Sequence, residues 1–139
     1  MKFAHTMIRV KELDRSLDFF ITKLGLIETR RYENPQGKFT LVFIATAPGE
    51  PEIELTYNWG MEDEYTHGRN FGHIAFVVDD IFATCERLMS LGVEILRPPR
   101  DGHLAFIKSP DNQSIELLQK GEPKKPISPW TEMENCGTW

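Results

Sequence analysis

Residues 71–80 read Phe71-Gly72-His73-Ile74-Ala75-Phe76-Val77-Val78-Asp79-Asp80, a β-branched and aromatic run opened by glycine and closed by an Asp pair able to start a helix. Side chains of a strand alternate between faces, so Ile74, Phe76 and Val78 share one apolar face. Phe71, His73, Ala75 and Val77 share the other, and His73 is the one polar group within the run. An earlier stretch has the same form: residues 2–10 predict a strand with His5, Met7 and Arg9 on one face and Thr6, Ile8 and Val10 on the other.

After that strand, Leu13, Leu17, Phe20 and Leu24 recur at helical spacing, with Asp14 as a cap and Gly25 as a left-handed stop. Strands follow at 26–32, 39–45 and 52–57, separated by the turn Asn34-Pro35-Gln36-Gly37 and a loop at 48–51. The second half runs through the same plan: a strand at 72–78, a helix at 81–91 stopped by Gly92, and strands at 93–97, 104–108 and 114–118. At an offset of 68, His5 falls on His73, Val10 on Val78 and Phe20 on Leu88. At an offset of 62, Ile53-Glu54-Leu55 falls on Ile115-Glu116-Leu117. Small drifts in offset are what loop changes leave between copies of one unit. The fold class expected is α+β: two βαβββ modules, 1–57 and 72–119, joined by a linker at 58–71 into one domain of 1–120. A Pro- and Trp-containing tail, 121–139, shows no period; disorder and extended packing across a partner subunit both stay open for it.

The length of 139 residues fits one domain, and 40% hydrophobic with 27% charged residues is ordinary globular composition. A net charge of -5 gives no reason to expect nucleic acid or an anionic membrane as partner. The start MKFAHTMIRVKELDRS has no apolar signal core, so neither secretion nor membrane spanning is expected. Cys85 and Cys136 lack metal-motif spacing and read as free thiols of a reducing cytoplasm.

Each module therefore offers one His early in its first strand and one Glu in its last, between Ile and Leu that must point the opposite way. If the apolar faces cover the helices, His5, Glu54, His73 and Glu116 project from the other face. Four unrelated side chains on a solvated face would not need to stay in register through a repeat. A divalent cation would satisfy all four.

The constellation and the modules resemble the vicinal-oxygen-chelate superfamily and, within it, glyoxalase I in its short bacterial form. The stretches that carry the resemblance are His5-Thr6-Met7-Ile8-Arg9-Val10, Asp14-Arg15-Ser16-Leu17-Asp18-Phe19-Phe20, Gly72-His73-Ile74-Ala75, Ser109-Pro110-Asp111 and, most specifically, Glu54-Leu55-Thr56-Tyr57-Asn58-Trp59-Gly60. It implies half-barrel sheets that pair in a homodimer with sites shared between subunits. It implies a metal held by His5, Glu54, His73 and Glu116, and glutathione contacts at Arg9, Asn58 and Arg69. Two imidazoles, two carboxylates and two waters make an octahedron suited to Ni2+ or Co2+ over Zn2+, and a His in the first ligand position goes with the nickel- or cobalt-activated members. The reaction implied is isomerisation of the methylglyoxal–glutathione hemithioacetal to S-lactoylglutathione, with Glu116 as the shuttling base and Glu54 as its counterpart.

The loop Leu96-Arg97-Pro98-Pro99-Arg100-Asp101-Gly102-His103 is shorter than the family's, and Arg100 is expected to stand in for the basic residue usual there. Asn112 replaces the usual Gly of the following turn, a change Asn tolerates. Other readings are a metal-dependent epimerase or extradiol dioxygenase of the same superfamily, or a metal-free sequestration protein of the bleomycin-binding kind. The dioxygenase would use two His and one carboxylate, and the sequestration protein would need none of the four.

Overall fold

The computed structural model describes residues 1–139, which divide into two units, Met1–Thr66 and His67–Trp139. In the first unit the alternating segments become β1 (His5–Arg9), β2 (Ile27–Asn34), β3 (Phe39–Ala45) and β4 (Glu52–Asn58), in sheet order β1-β4-β3-β2. β1 runs parallel to β4 and the other pairings are antiparallel. A parallel pair needs a long crossover. Here the helix, β2 and β3 supply it. One face of the sheet carries Ile8, Val10, Val42, Ile44, Ile53 and Leu55, all buried with Phe19 and Phe20.

β1 is shorter than expected: Met1 to Ala4 are exposed, and the Ala4 carbonyl accepts one hydrogen bond from the Glu52 N–H at 3.1 Å. The first helix differs more. Its α-helical part α1 is Leu13–Leu17, followed by a π-helical turn at Asp18–Lys23. The buried face is Ser16, Phe19 and Phe20, while Leu13, Leu17 and Leu24 are half-buried. The Leu24 N–H donates five residues back to the Phe19 carbonyl at 2.9 Å. That wider turn lets two consecutive rings face the core, edge to face with centroids 5.0 Å apart. Asp14 is not the cap either; Glu12 holds that position without a side-chain bond, and Asp14 lies in the first turn.

The second unit has β5 (His73–Val78), the helix α2 (Ile81–Ser90), β6 (Leu104–Lys108) and β7 (Ser114–Gln119), in sheet order β5-β7-β6. Again the first and last strands are parallel neighbours. The strand expected at 93–97 is absent; a single bridge, Arg97 with Phe106, is all that forms. Pro98 and Pro99, both buried, have no N–H to continue a ladder past Arg97. On the other side the Leu96 carbonyl accepts the N–H of Cys136 at 2.8 Å, so the tail occupies that position. Val93, Ile95 and Leu96 are buried nonetheless, and the segment keeps its share of the core.

Asp80 starts α2 as its cap, its carboxylate accepting from the N–H groups of Phe82 and Ala83, both at 3.1 Å. Those bonds and the Lys124 ammonium, the largest influence, hold the Asp80 carboxyl below the usual range. Asp80→Ala is expected to destabilise the second unit by about 1 kcal/mol, the usual value of such a cap. A urea midpoint within error of wild type would show that the cap contributes nothing.

The tail is not disordered; it packs on its own unit. Trp130 is 1% exposed and stacks on Phe82 with centroids 6.2 Å apart. Burying an indole of that size contributes on the order of 4 kcal/mol. The tail passes so close over Gly102 that an added Cβ would lie 2.0 Å from the Lys124 carbonyl oxygen. Only glycine fits there, and its φ of +67° also favours it. No helix of the chain is long and apolar enough to cross a membrane.

Candidate metal centre in two half-sites

Strand register explains why each His meets its Glu. In the first unit His5 lies opposite Glu52 and Met7 opposite Glu54, so His5 and Glu54 are diagonal neighbours on one face. In the second, His73 lies opposite Ser114 and Ala75 opposite Glu116, the same offset. The result is two matching pairs: His5 Nε2 is 3.1 Å from Glu54 Oε2, and His73 Nε2 is 3.1 Å from Glu116 Oε2. Exposure matches too, with side chains 39% and 14% exposed in the first pair and 43% and 14% in the second. Each imidazole thus stands at the open edge of its face above a mostly covered carboxylate.

A third member belongs to each pair, and sequence reasoning missed it. His5 meets Phe43 edge to face at 5.6 Å, and His73 meets Phe106 edge to face at 5.5 Å. The signal was there, since Phe43 and Phe106 sit in corresponding strands at an offset of 63. A ring against one side of an imidazole limits its rotation and leaves Nε2 directed at the carboxylate.

The half-sites differ in what surrounds them. In the first, the Arg30 guanidinium lies over the Phe43 ring, 3.3 Å from its centroid, and is held by Glu52 through Nη2 at 2.8 Å. Arg30 and then Thr29 donate to Glu52 and keep its carboxyl below the usual range. The Thr56 hydroxyl donates to Glu54 Oε1 at 3.1 Å. At the matching place in the second unit, 62 residues on, stands Leu118, which has no hydroxyl to offer Glu116. Phe106 in turn is covered by Trp139, with centroids 5.7 Å apart and planes at 22°. A pocket of about 420 Å³ opens here, lined by His67, Phe71, His73, Lys108, Ser114 and Trp139 among others.

The remaining expected residues are less concentrated. Arg9 is on the open face of β1 with His5. Asn58 ends β4 on the face of Glu54, and the Tyr65 hydroxyl donates to its Oδ1 at 3.5 Å. Arg69 is exposed in a turn before β5 and does not line the pocket. Arg100, expected as the loop cation, places its guanidinium on the tail: Nη1 donates to the Met133 carbonyl and Nη2 to Asn135 Oδ1, both at 2.8 Å. Asn112 has φ 63°, the left-handed conformation its turn requires. Cys85 is buried, which pushes its thiol up to about 12, and Cys136 is exposed; neither is in a disulfide.

No three His, Cys, Asp or Glu side chains converge at one place, so each half-site offers one nitrogen and one carboxylate. Counted together, the two pairs hold two nitrogens and two carboxylates with no sulfur. Donors of these types fit a divalent ion and lack the cysteine sulfurs of a structural zinc.

The family model described as Glyoxalase/Bleomycin resistance protein/Dioxygenase superfamily matches residues 2–117. The chain is 45% identical over 131 residues to the lactoylglutathione lyase of Haemophilus influenzae, covering 89% of this chain and 96% of that protein. A Leishmania major glyoxalase I, described as trypanothione-dependent, superposes with a TM-score of 0.81 at 38% identity, over 86% of each chain. Glyoxalase I from Zea mays superposes with a TM-score of 0.79 at 32% identity, over 90% of this chain and 47% of that one.

Proposed function

This chain belongs to the glyoxalase superfamily, and from that membership we propose that it is a lactoylglutathione lyase, converting the methylglyoxal–glutathione hemithioacetal to S-lactoylglutathione. The observation that carries the reading is the duplicated His–Glu–Phe arrangement, in a chain 45% identical over most of its length to a lactoylglutathione lyase. His5, Glu54, His73 and Glu116 would hold a divalent ion, Ni2+ or Co2+ before Zn2+. When bound, that ion would supply Lewis acidity toward the substrate.

Glu116 takes the proton from the carbon that bears sulfur and returns it to the neighbouring carbon, while the hydroxyl proton passes between the two oxygens. No atom or electron is gained or lost. Glu116 suits this task better than Glu54. The Thr56 hydroxyl ties down one oxygen of Glu54, whereas Leu118 leaves Glu116 without that tether. A carboxylate that must approach carbon and withdraw needs that freedom. The His73 ring, set against Phe106, keeps the carboxylate in place between turnovers.

Arg9, Asn58 and Arg69 are the proposed contacts to the charged ends of glutathione, with Arg100 acting through the tail it holds. A homodimer with shared sites completes the ligand set, and the free thiols fit a cytoplasmic protein. Metal specificity tests the reading directly. Apoprotein is expected to regain thioester formation from methylglyoxal and glutathione with added nickel or cobalt, and to regain little with zinc. Strong zinc activation without a nickel response would overturn the choice of metal. No activity with any of the three ions would overturn the function.

A further inference from the structure

We propose that Trp139 is a positioning residue of the second half-site: it holds the Phe106 ring against His73 and so fixes the direction of that ligand. The inference rests on the function proposed above, in which His73 holds a metal ion. It adds to that function a residue outside 2–117, the part of the chain that the family model matches.

The repeat places an arginine opposite each of the two phenylalanines. Arg30 of β2 pairs with Phe43 in the antiparallel register of the first unit, and Arg97 bridges Phe106 in the second. Residues directly opposite in such a pair share one face of the sheet. In the first unit the arginine uses that position: its guanidinium lies over the Phe43 ring, 3.3 Å from the centroid, while His5 makes edge contact with the same ring. In the second unit the arginine is turned away. Arg97 Nη1 donates to the Leu104 carbonyl at 2.6 Å and Nη2 to Asp101 Oδ2 at 2.8 Å. Trp139 covers Phe106 instead, stacked on it with centroids 5.7 Å apart and planes at 22°. The same layering of cover, phenylalanine and histidine is thus built once from a strand and once from the tail.

The tail is held in register with the ring it covers. The Leu96 N–H donates to the Phe106 carbonyl and the Leu96 carbonyl accepts from the Cys136 N–H, each at 2.8 Å. Those bonds link the tail backbone to that of Phe106, and Trp139 follows shortly after Cys136. Just upstream, Arg100 holds Met133 and Asn135, and Trp130 is buried in the core. Phe106 has need of the cover. It lies opposite Glu116 in the register of β6 and β7, on the face away from the apolar layer, and with the indole upon it is only 9% exposed. Without the indole one side of the ring is free to move, and the stop it sets on His73 loosens. A ligand that becomes ordered only when the ion arrives loses rotamer freedom at that moment, and affinity falls.

The test measures the affinity of metal-free protein for Ni2+ and Co2+ by competition with a chelating dye, so it needs no turnover. Trp139→Ala is expected to raise the dissociation constants about three- to tenfold, the range of one aromatic pair. Trp139→Phe keeps a ring over Phe106 and is expected to stay within about twofold of wild type. Phe106→Leu removes the ring through which the indole acts. In that background Trp139→Ala is expected to add nothing further, because residues that act through one contact are not additive. Wild-type affinity in Trp139→Ala, or the same fold loss with and without Phe106→Leu, overturns the positioning role and leaves the lyase reading standing. A loss in Trp139→Phe equal to that in Trp139→Ala does the same. A wild type that binds neither ion removes that reading and this inference with it.

Discussion

Glu116→Gln is expected to lower turnover by a factor of about 10²–10⁴, the usual contribution of a positioned general base, and to leave the fold intact. The fold survives because the Glu116 side chain points away from the apolar layer formed by Ile115 and Leu117, which are 0% and 1% exposed on the opposite face of β7. Glutamine keeps the shape and an oxygen toward His73 but cannot accept the substrate proton. The loss should therefore fall on kcat, with the far-UV circular dichroism and the urea midpoint close to wild type. Glu54→Gln should cost less at saturating metal, because the Thr56 hydroxyl holds one oxygen of its carboxylate. Equal losses in the two variants would assign both carboxylates the same task and remove the distinction drawn from Thr56 and Leu118. Activity of Glu116→Gln within a few-fold of wild type would take Glu116 out of the mechanism altogether.

That asymmetry between two copies of one unit is also where the sequence was hardest to read. Strands were legible because alternation has a period of two and a buried face tolerates no slip. β3 and β6 fall at the expected residues, and the other strands differ by a few residues at their ends. The repeat brought His5, Glu54, His73 and Glu116 forward together, and the structure pairs them as the register requires. What escaped reading has no period. A π-helical turn shifts a buried face by one residue without changing composition, and so Phe19 displaced Leu24. Residues 93–97 have a strand's composition, and the limit on pairing comes from Pro98 and Pro99 just beyond. The tail is held by Trp130, Arg100 and the closeness of its backbone to Gly102, all tertiary contacts. Trp139 beside His73 could not have been inferred from spacing.

Two chains, each inactive alone, should recover activity when mixed. Each unit contributes one His and one Glu, so a set of four requires two units, and they can come from one chain or from two. The 14 residues from 59 to 72 connect β4 to β5, and at about 3.3 Å per residue they reach up to roughly 45 Å, which permits either origin. We favour two chains. Isologous pairs are the common form of homodimer, and each copy would supply one pair of each kind. Consider one chain with His5→Ala and Glu54→Gln, and another with His73→Ala and Glu116→Gln. If His5 and Glu54 of one subunit meet His73 and Glu116 of the other, a mixed dimer has one site with every ligand changed and one site intact. Random exchange at equal concentrations makes half the dimers mixed, and recovery should approach roughly a quarter of wild type. Mass measurement under native conditions establishes that mixed dimers are present. If they are present and inactive, all four ligands come from one chain, and the shared-site assembly is wrong even if the lyase activity is real.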